Sequence, residues 1–206
     1  ALRGSFWLGD TKTGTLRSIL PPPLGTGPNE PSVSPDGRRI VFSKINIDLD
    51  IIEVPVDGTQ PRPYLSTSRY EYSPSWSRSG DRLAYITDRS GTNEIWIRSA
   101  KGDWERPVVT QSNFPDDKNL RFISAAISPD GEKLAYVKSI GPSGGRLWVS
   151  SSSGGKPIPA IPPHPGIGYF ENGLSWSPDS KSLACNIYVE GVSKLAVIGV
   201  GGGKPP

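Results

Sequence analysis

"SVSPDGRRIVFS", from Ser32 to Ser43, decides how this chain is read. Serine, proline, aspartate and glycine stand together between two apolar runs, and each suits a tight turn. Proline fixes φ and lacks an amide donor, aspartate bonds turn amides, and glycine supplies positive φ. A serine and an aspartate two apart would also suit chemistry or a metal loop, so copies elsewhere in the chain matter.

The stretch returns as "WSRSGDRLAYIT" (Trp76 to Thr87), "ISPDGEKLAYVK" (Ile127 to Lys138) and "WSPDSKSLACNI" (Trp176 to Ile187). The serines at 34, 77, 128 and 177 are 43, 51 and 49 residues apart, the period of propeller blades built from four short strands. Four copies spaced round a ring cannot share one catalytic centre, and nucleophilic catalysis needs an adjacent base. The motif therefore reads as a turn. "SRSG" keeps the glycine, whereas "SPDS" keeps Pro178 and Asp179 and gives up the glycine at some conformational cost.

A second column follows each copy: "LDIIEVPVDGT" (from Leu49), "NEIWIRSAKGD" (from Asn93), "RLWVSSSSGGK" (from Arg146) and "KLAVIGVGGGK" (from Lys194). The opening "SFWLGDTKTGT" (from Ser5) matches this column with no first column before it. Outer runs come next: "LRSIL", "RPYLS", "RPVVT" and "KPIPA". The expected fold is all-β, a propeller arc of four to five four-stranded antiparallel blades taken from a larger propeller. It has a partial blade over 5–20, blades over 31–66, 73–111 and 124–161, and an incomplete last blade over 174–204. The start lacks two inner strands and the finish lacks an outer one, so neither end completes the other. Closure is expected from further blades of a parent chain, with edge-to-edge self-association as the alternative.

Composition agrees. The 206 residues include 24 Gly, 22 Pro, 6 Trp and 7 Tyr, a balance that favours short strands and turns. The net charge is +3, but Arg38, Arg62, Arg82, Arg98, Arg121, Lys138 and Lys194 are scattered singly, which argues against nucleic-acid binding by this segment. No apolar run approaches the ~20 residues needed to span a bilayer as a helix, so no membrane insertion is expected. Cys185, the single cysteine, sits in "LACNI" as a small buried hydrophobe.

"SPDG" followed by "LAY", with "TDRSGTNEIWI" as the next hairpin, resembles the TolB-like, WD-repeat-like propeller repeats of bacterial multidomain proteins. Similar repeats occur in the propellers of prolyl-oligopeptidase-type enzymes. The resemblance runs from Ser5 to Lys204 and implies the fold. For function it implies a non-catalytic interaction or sensor module that binds a protein, peptide or small ligand. The alternative is the propeller of a peptidase, or a propeller hydrolase. It favours a periplasmic or extracytoplasmic location over a cytoplasmic one. The loops "SNFPDDKNLRF" and "PPHPGIGYFENG" also resemble propeller segments of bacterial regulators in which a winged-helix or kinase domain precedes the blades.

Other chemical patterns read as structure. "GPSGG" (Gly141 to Gly145) fits the nucleophile-elbow pattern but joins two strands with no helix after it. His164, the single histidine, lies in a proline-rich loop without an orienting acid. "NIDLDIIE" groups Asn46, Asp48, Asp50 and Glu53 but lacks the sixth-position glycine and twelfth-position acid of a calcium loop. No catalytic residue, metal or cofactor is expected. Trp76 and Trp176 share one column, and Trp7, Trp96 and Trp148 another, which predicts packing between blades. Trp104 belongs to neither and is expected on a turn between the third and fourth strands.

Loop length separates the two faces. The short turns after the first and third strands share one face, and the long connections share the other. Function concentrates in loops on a rigid scaffold. The expected partner surface is the loop-rich face, through Tyr70, Tyr72, Phe114, Asp116, Asp117, Lys118, His164, Tyr169, Phe170 and Glu171.

Overall fold

The computed structural model describes residues 6–20, 29–33, 40–43, 48–56, 60–139, 141, 144–161 and 169–200. The chain divides into two units, residues 1–48 and 49–206. In the first, β1 (Phe6–Gly9) pairs antiparallel with β2 (Leu16–Leu20), and β3 (Asn29–Val33) with β4 (Ile40–Ser43). The β1–β2 turn is held by the Asp10 carboxylate, which accepts the Lys12 N–H at 2.8 Å and the Thr13 N–H at 3.2 Å.

The second unit opens with a two-stranded sheet of β5 (Ile51–Glu53) and β6 (Arg62–Leu65). Next come β7 (Glu71–Trp76), β8 (Arg82–Thr87), β9 (Glu94–Ser99) and β10 (Glu105–Val109), an antiparallel meander ordered as in the sequence. The pattern repeats with β11 (Phe122–Ile127), β12 (Lys133–Ser139), β13 (Gly145–Ser151) and β14 (Ile158–Pro159). It then repeats with β15 (Tyr169–Trp176), β16 (Ser182–Val189) and β17 (Val192–Gly199), joined to the preceding strands by a single pairing of Gly145 on β13 with Phe170 on β15, so that β11–β17 form one seven-stranded sheet. β14 is short because Pro157 and Pro159 offer no amide to a ladder. One 3-10 turn, Gln111–Asn113, follows β10. The architecture is the all-β propeller segment expected from the repeat.

The motif serine proves to be structural. Ser128 Oγ donates to the Asp130 carboxylate at 2.5 Å and accepts the Lys133 N–H at 2.9 Å, tying the end of β11 to the start of β12. Ser177 does the same with Asp179 at 2.5 Å and the Ser182 N–H at 2.9 Å. In the degenerate copy the acid moves: Ser77 Oγ donates to Asp81 at 2.7 Å and accepts the Arg82 N–H at 3.1 Å. Hydroxyl donation holds the carboxyls of Asp81, Asp130 and Asp179 below their ordinary range. Gly80 and Gly131 adopt φ +70° and +75°, and Ser180 takes the same left-handed turn position at φ 58°.

Packing lies between successive sheets. Ile95, Ile97, Val108 and Val109 face Phe122, Leu134 and Tyr136, and all seven are buried. Leu147 and Val149 face Phe170, Leu183 and Cys185 in the same way. Each such side chain contributes roughly 1.5–3 kcal/mol of apolar transfer, which makes this alternation the main stabilising term. Each inner strand carries a register shift: between Asn29 and Ser32, Tyr72 and Ser75, Phe122 and Ser124, and Phe170 and Leu174. The bulges re-aim side chains near one end of every inner strand.

The tryptophans divide. Trp96 and Trp148 pack partly buried against the cores, as does Trp176. Trp76 packs edge-on against Tyr64 of the preceding sheet at 5.6 Å but remains 48% exposed. Trp104 stands just before β10, exposed, as expected.

Candidate functional site

The inner strand β11 shows how the blades are joined and which polar groups are spent in joining them. An inner strand has one ladder partner, here β12, so half of its amides and carbonyls need other partners. Side chains of β7 supply them: Ser73 Oγ accepts the Ala125 N–H at 2.9 Å and Ser75 Oγ accepts the Ile127 N–H at 3.1 Å. Tyr72 Oη donates to the Phe122 carbonyl at 2.8 Å, and Asn93 Oδ1 accepts the Phe122 N–H at 2.7 Å. From β15, Trp176 Nε1 donates to the Ala126 carbonyl at 3.0 Å.

Several residues expected on the loop-rich face are engaged in this joint. Burial pushes the Tyr72 phenol up, and Asn93 Nδ2 donates to its oxygen at 3.2 Å. Phe114 lies edge-on to Trp148 at 5.1 Å and to Phe122 at 6.5 Å, under the Lys138 ammonium at 5.0 Å. Lys138 Nζ bonds Asp117 Oδ2 at 2.6 Å, and that bond holds the Asp117 carboxyl below its usual range. Gln111 Nε2 donates to the Phe114 and Asp117 carbonyls at 2.8 and 2.6 Å, which fixes the loop. Phe170 is buried in the core between sheets.

The others differ. The half-buried Tyr70 donates its N–H to Asp88 Oδ1 at 3.1 Å, whereas Asp116 and Lys118 are exposed. Tyr169, Phe170 and Glu171 belong to β15 and not to the connection before it, because Tyr169 and Phe170 pair with Tyr188 and Ile187. His164 lies outside the described residues, as does Asn46 of the acidic run. Asp48 and Asp50 of that run are exposed, and Glu53 pairs with Arg62 at 2.7 Å. "GPSGG" falls partly outside the described residues, between β12 and β13. Among the described residues no cluster of His, Cys, Asp and Glu could hold a metal ion.

Two grooves open on the opposite face. The larger, about 580 Å³, is lined by Arg82, Trp104, Glu105, Arg106, Glu132, Ser152 and Ser153. Its cations serve the fold: Arg106 donates to the Ser152 and Ser153 carbonyls at 3.0 and 3.1 Å, and Arg82 to the Gly131 carbonyl at 3.3 Å. Glu105 is paired with Arg89 and accepts from Tyr85 Oη at 3.1 Å.

The smaller groove, about 360 Å³, lies across the ends of β7, β11 and β15. Trp76, Ile127, Leu174, Trp176, Pro129 and Pro178 line it, with Arg78 and two serines. Its half-exposed indole stands beside Ile127, Leu174 and two prolines, and this makes it the better candidate site. The motif spacing carried a signal for it, since Trp76, Ile127 and Trp176 each immediately precede the motif serine.

No family model matches the chain. The chain is 33% identical over 105 residues to the Tol-Pal system protein TolB of Anaeromyxobacter dehalogenans, covering 51% of this chain and 22% of that protein. It is 30% identical over 122 residues to the uncharacterized peptidase YuxL of Bacillus subtilis, covering 54% of this chain and 17% of that protein. The chain thus spans about a fifth of the length of these curated relatives. The crystal structure of TolB from Acinetobacter baumannii superposes with a TM-score of 0.56 at 19% identity, over 72% of this chain and 34% of that one. A puromycin-hydrolyzing peptidase of Mycobacterium tuberculosis superposes with a TM-score of 0.52 at 17% identity, over 91% and 32%. The meander sheets, their order and these likenesses give the chain a β-propeller fold similar to that of the TolB structure.

Proposed function

We propose that this segment is a non-catalytic interaction module whose partner is a protein or an extended peptide. The observation that carries the reading is the groove across β7, β11 and β15, where a 48% exposed indole stands beside aliphatic side chains, two prolines and one arginine. Large aromatic and arginine anchors in a concave site dominate protein recognition energies. The TolB relatives are named as components of a Tol-Pal system, which also favours a protein partner and an extracytoplasmic location. On the opposite face Tyr70, Asp116 and Lys118 offer a second contact surface.

Selection from a random peptide library, followed by titration of the winners, tests this. Peptides that bind the unaltered protein and lose at least about tenfold in affinity with Trp76→Ala support it. No enrichment, or binding indifferent to Trp76, overturns it.

A second reading is favoured by the likeness to YuxL: the segment gates a peptidase domain elsewhere in the same polypeptide. Turnover of short peptide substrates by the natural polypeptide, lost with the nucleophile of that domain, would establish this reading over the first.

A further inference from the structure

Three inner strands end at the smaller groove, and the two joints between them differ. Ser75, Ala126 and Ser175 each lie two residues before a motif serine, on β7, β11 and β15. Ser75 Oγ accepts the Ile127 N–H at 3.1 Å, which satisfies the inner edge of β11 at that height. At the next joint Ala126 holds the place of Ser75, and Trp176 the place of Ile127. The Ser177 N–H donates to the Ser182 carbonyl at 2.8 Å, so the next bonded pair is Ser175 with Ala184, and the Trp176 N–H points away from β16. Alanine has no hydroxyl to meet it, and among the described residues no side chain accepts it.

The groove also carries a cation. Arg78 is exposed and is the single charged residue of the lining. Its N–H donates to the Pro129 carbonyl at 3.3 Å, which holds the turn after β7 over the end of β11. Its guanidinium forms no ion pair among the described residues. The acids of the neighbouring turns are tied into those turns: Asp81 accepts from Ser77 and Ser79, Asp130 from Ser128, and Asp179 from Ser177. Within the lining, an apolar surface thus stands beside donors only, one of them charged, and the charge complement of that surface is an anionic, acceptor-bearing occupant.

On the reading of this groove as a peptide site, we propose that its occupant is an acidic, extended segment of a partner protein. An Asp or Glu side chain of that segment pairs with the Arg78 guanidinium, a backbone carbonyl of the segment accepts the Trp176 N–H, and an apolar neighbour packs on the Trp76 indole. The planar guanidinium fork matches a carboxylate, and such charge-assisted bonds are roughly twice as strong as neutral ones.

Titration of the natural polypeptide with the tightest Trp76-dependent peptide from the random library, and with the same peptide after its acids are changed to amides, tests this. The change from acid to amide should weaken binding to the unaltered protein at least about fivefold, and binding to Arg78→Gln by less than about twofold. Saturation with the acidic peptide should slow hydrogen exchange of the Trp176 amide at least about tenfold. Trp76-dependent peptides that carry no acid, equal losses in the two proteins, or an unchanged Trp176 exchange rate each overturn the acidic occupant and leave the groove a peptide site. Failure to recover any Trp76-dependent peptide overturns both.

Discussion

Ser180 Oγ accepts the backbone N–H of Asp130 at 3.2 Å, so the one motif turn without glycine is bonded to the turn of the preceding blade. Ser180 is buried and sits at φ 58°, and its carbonyl accepts Lys133 Nζ at 3.1 Å. A left-handed serine costs about 1 kcal/mol relative to glycine, and a hydrogen bond of this kind contributes about as much. The lost glycine is thereby offset by a contact that glycine could not make.

Two substitutions separate these effects. Ser180→Gly should leave urea stability within about 0.5 kcal/mol of the unaltered protein, because strain and bond disappear together. Ser180→Ala should cost about 1 kcal/mol, because only the bond disappears. Equal midpoints for the two variants would contradict this account.

Ser75→Ala removes the acceptor of the Ile127 N–H on an inner strand. It should cost about 1–2 kcal/mol in chemical denaturation and speed exchange of that amide. An unchanged Ile127 exchange rate would show that the serine does not satisfy the strand edge.

The Lys138–Asp117 pair carries an acid dependence. The Asp117 carboxyl is depressed in the fold, so its stabilisation is fully present above the ordinary aspartate range near 4 and is lost as pH falls through the lower folded value. Asp117→Asn should cost about 0.5–1 kcal/mol at pH 7, and the difference from the unaltered protein should shrink below about pH 4. A difference that stays constant to pH 2 would show that the charge is not what matters.

Cys185 is 1% exposed, and burial pushes its thiol up to about 11. Alkylation by iodoacetamide at pH 8 should therefore be at least about a hundredfold slower in the folded protein than in urea. Comparable rates would place the thiol at the surface.

The sequence alone determined the period, the turn positions, the strand order within each sheet and the structural role of the Ser-Pro-Asp-Gly motif. These are local properties: turn chemistry spans four or five residues, and strand alternation is read residue by residue. Ser128, Asp130 and Gly131 do in the structure what their types require of a turn.

Tertiary structure decided which side chains remain available. Tyr72, Phe114, Asp117 and Phe170 stood out as loop-face candidates, yet their groups are engaged across the joint between blades. Trp76 and Trp96 both read as packing between blades, and Trp96 is half-buried against a core whereas Trp76 is 48% exposed. The reason is that burial of a propeller side chain depends on what the neighbouring blade presents, and the inner-strand bulges shift the alternation just where those blades meet. Periodicity specifies that a residue faces a neighbour; the neighbour's own side chains decide whether anything is left exposed for a partner.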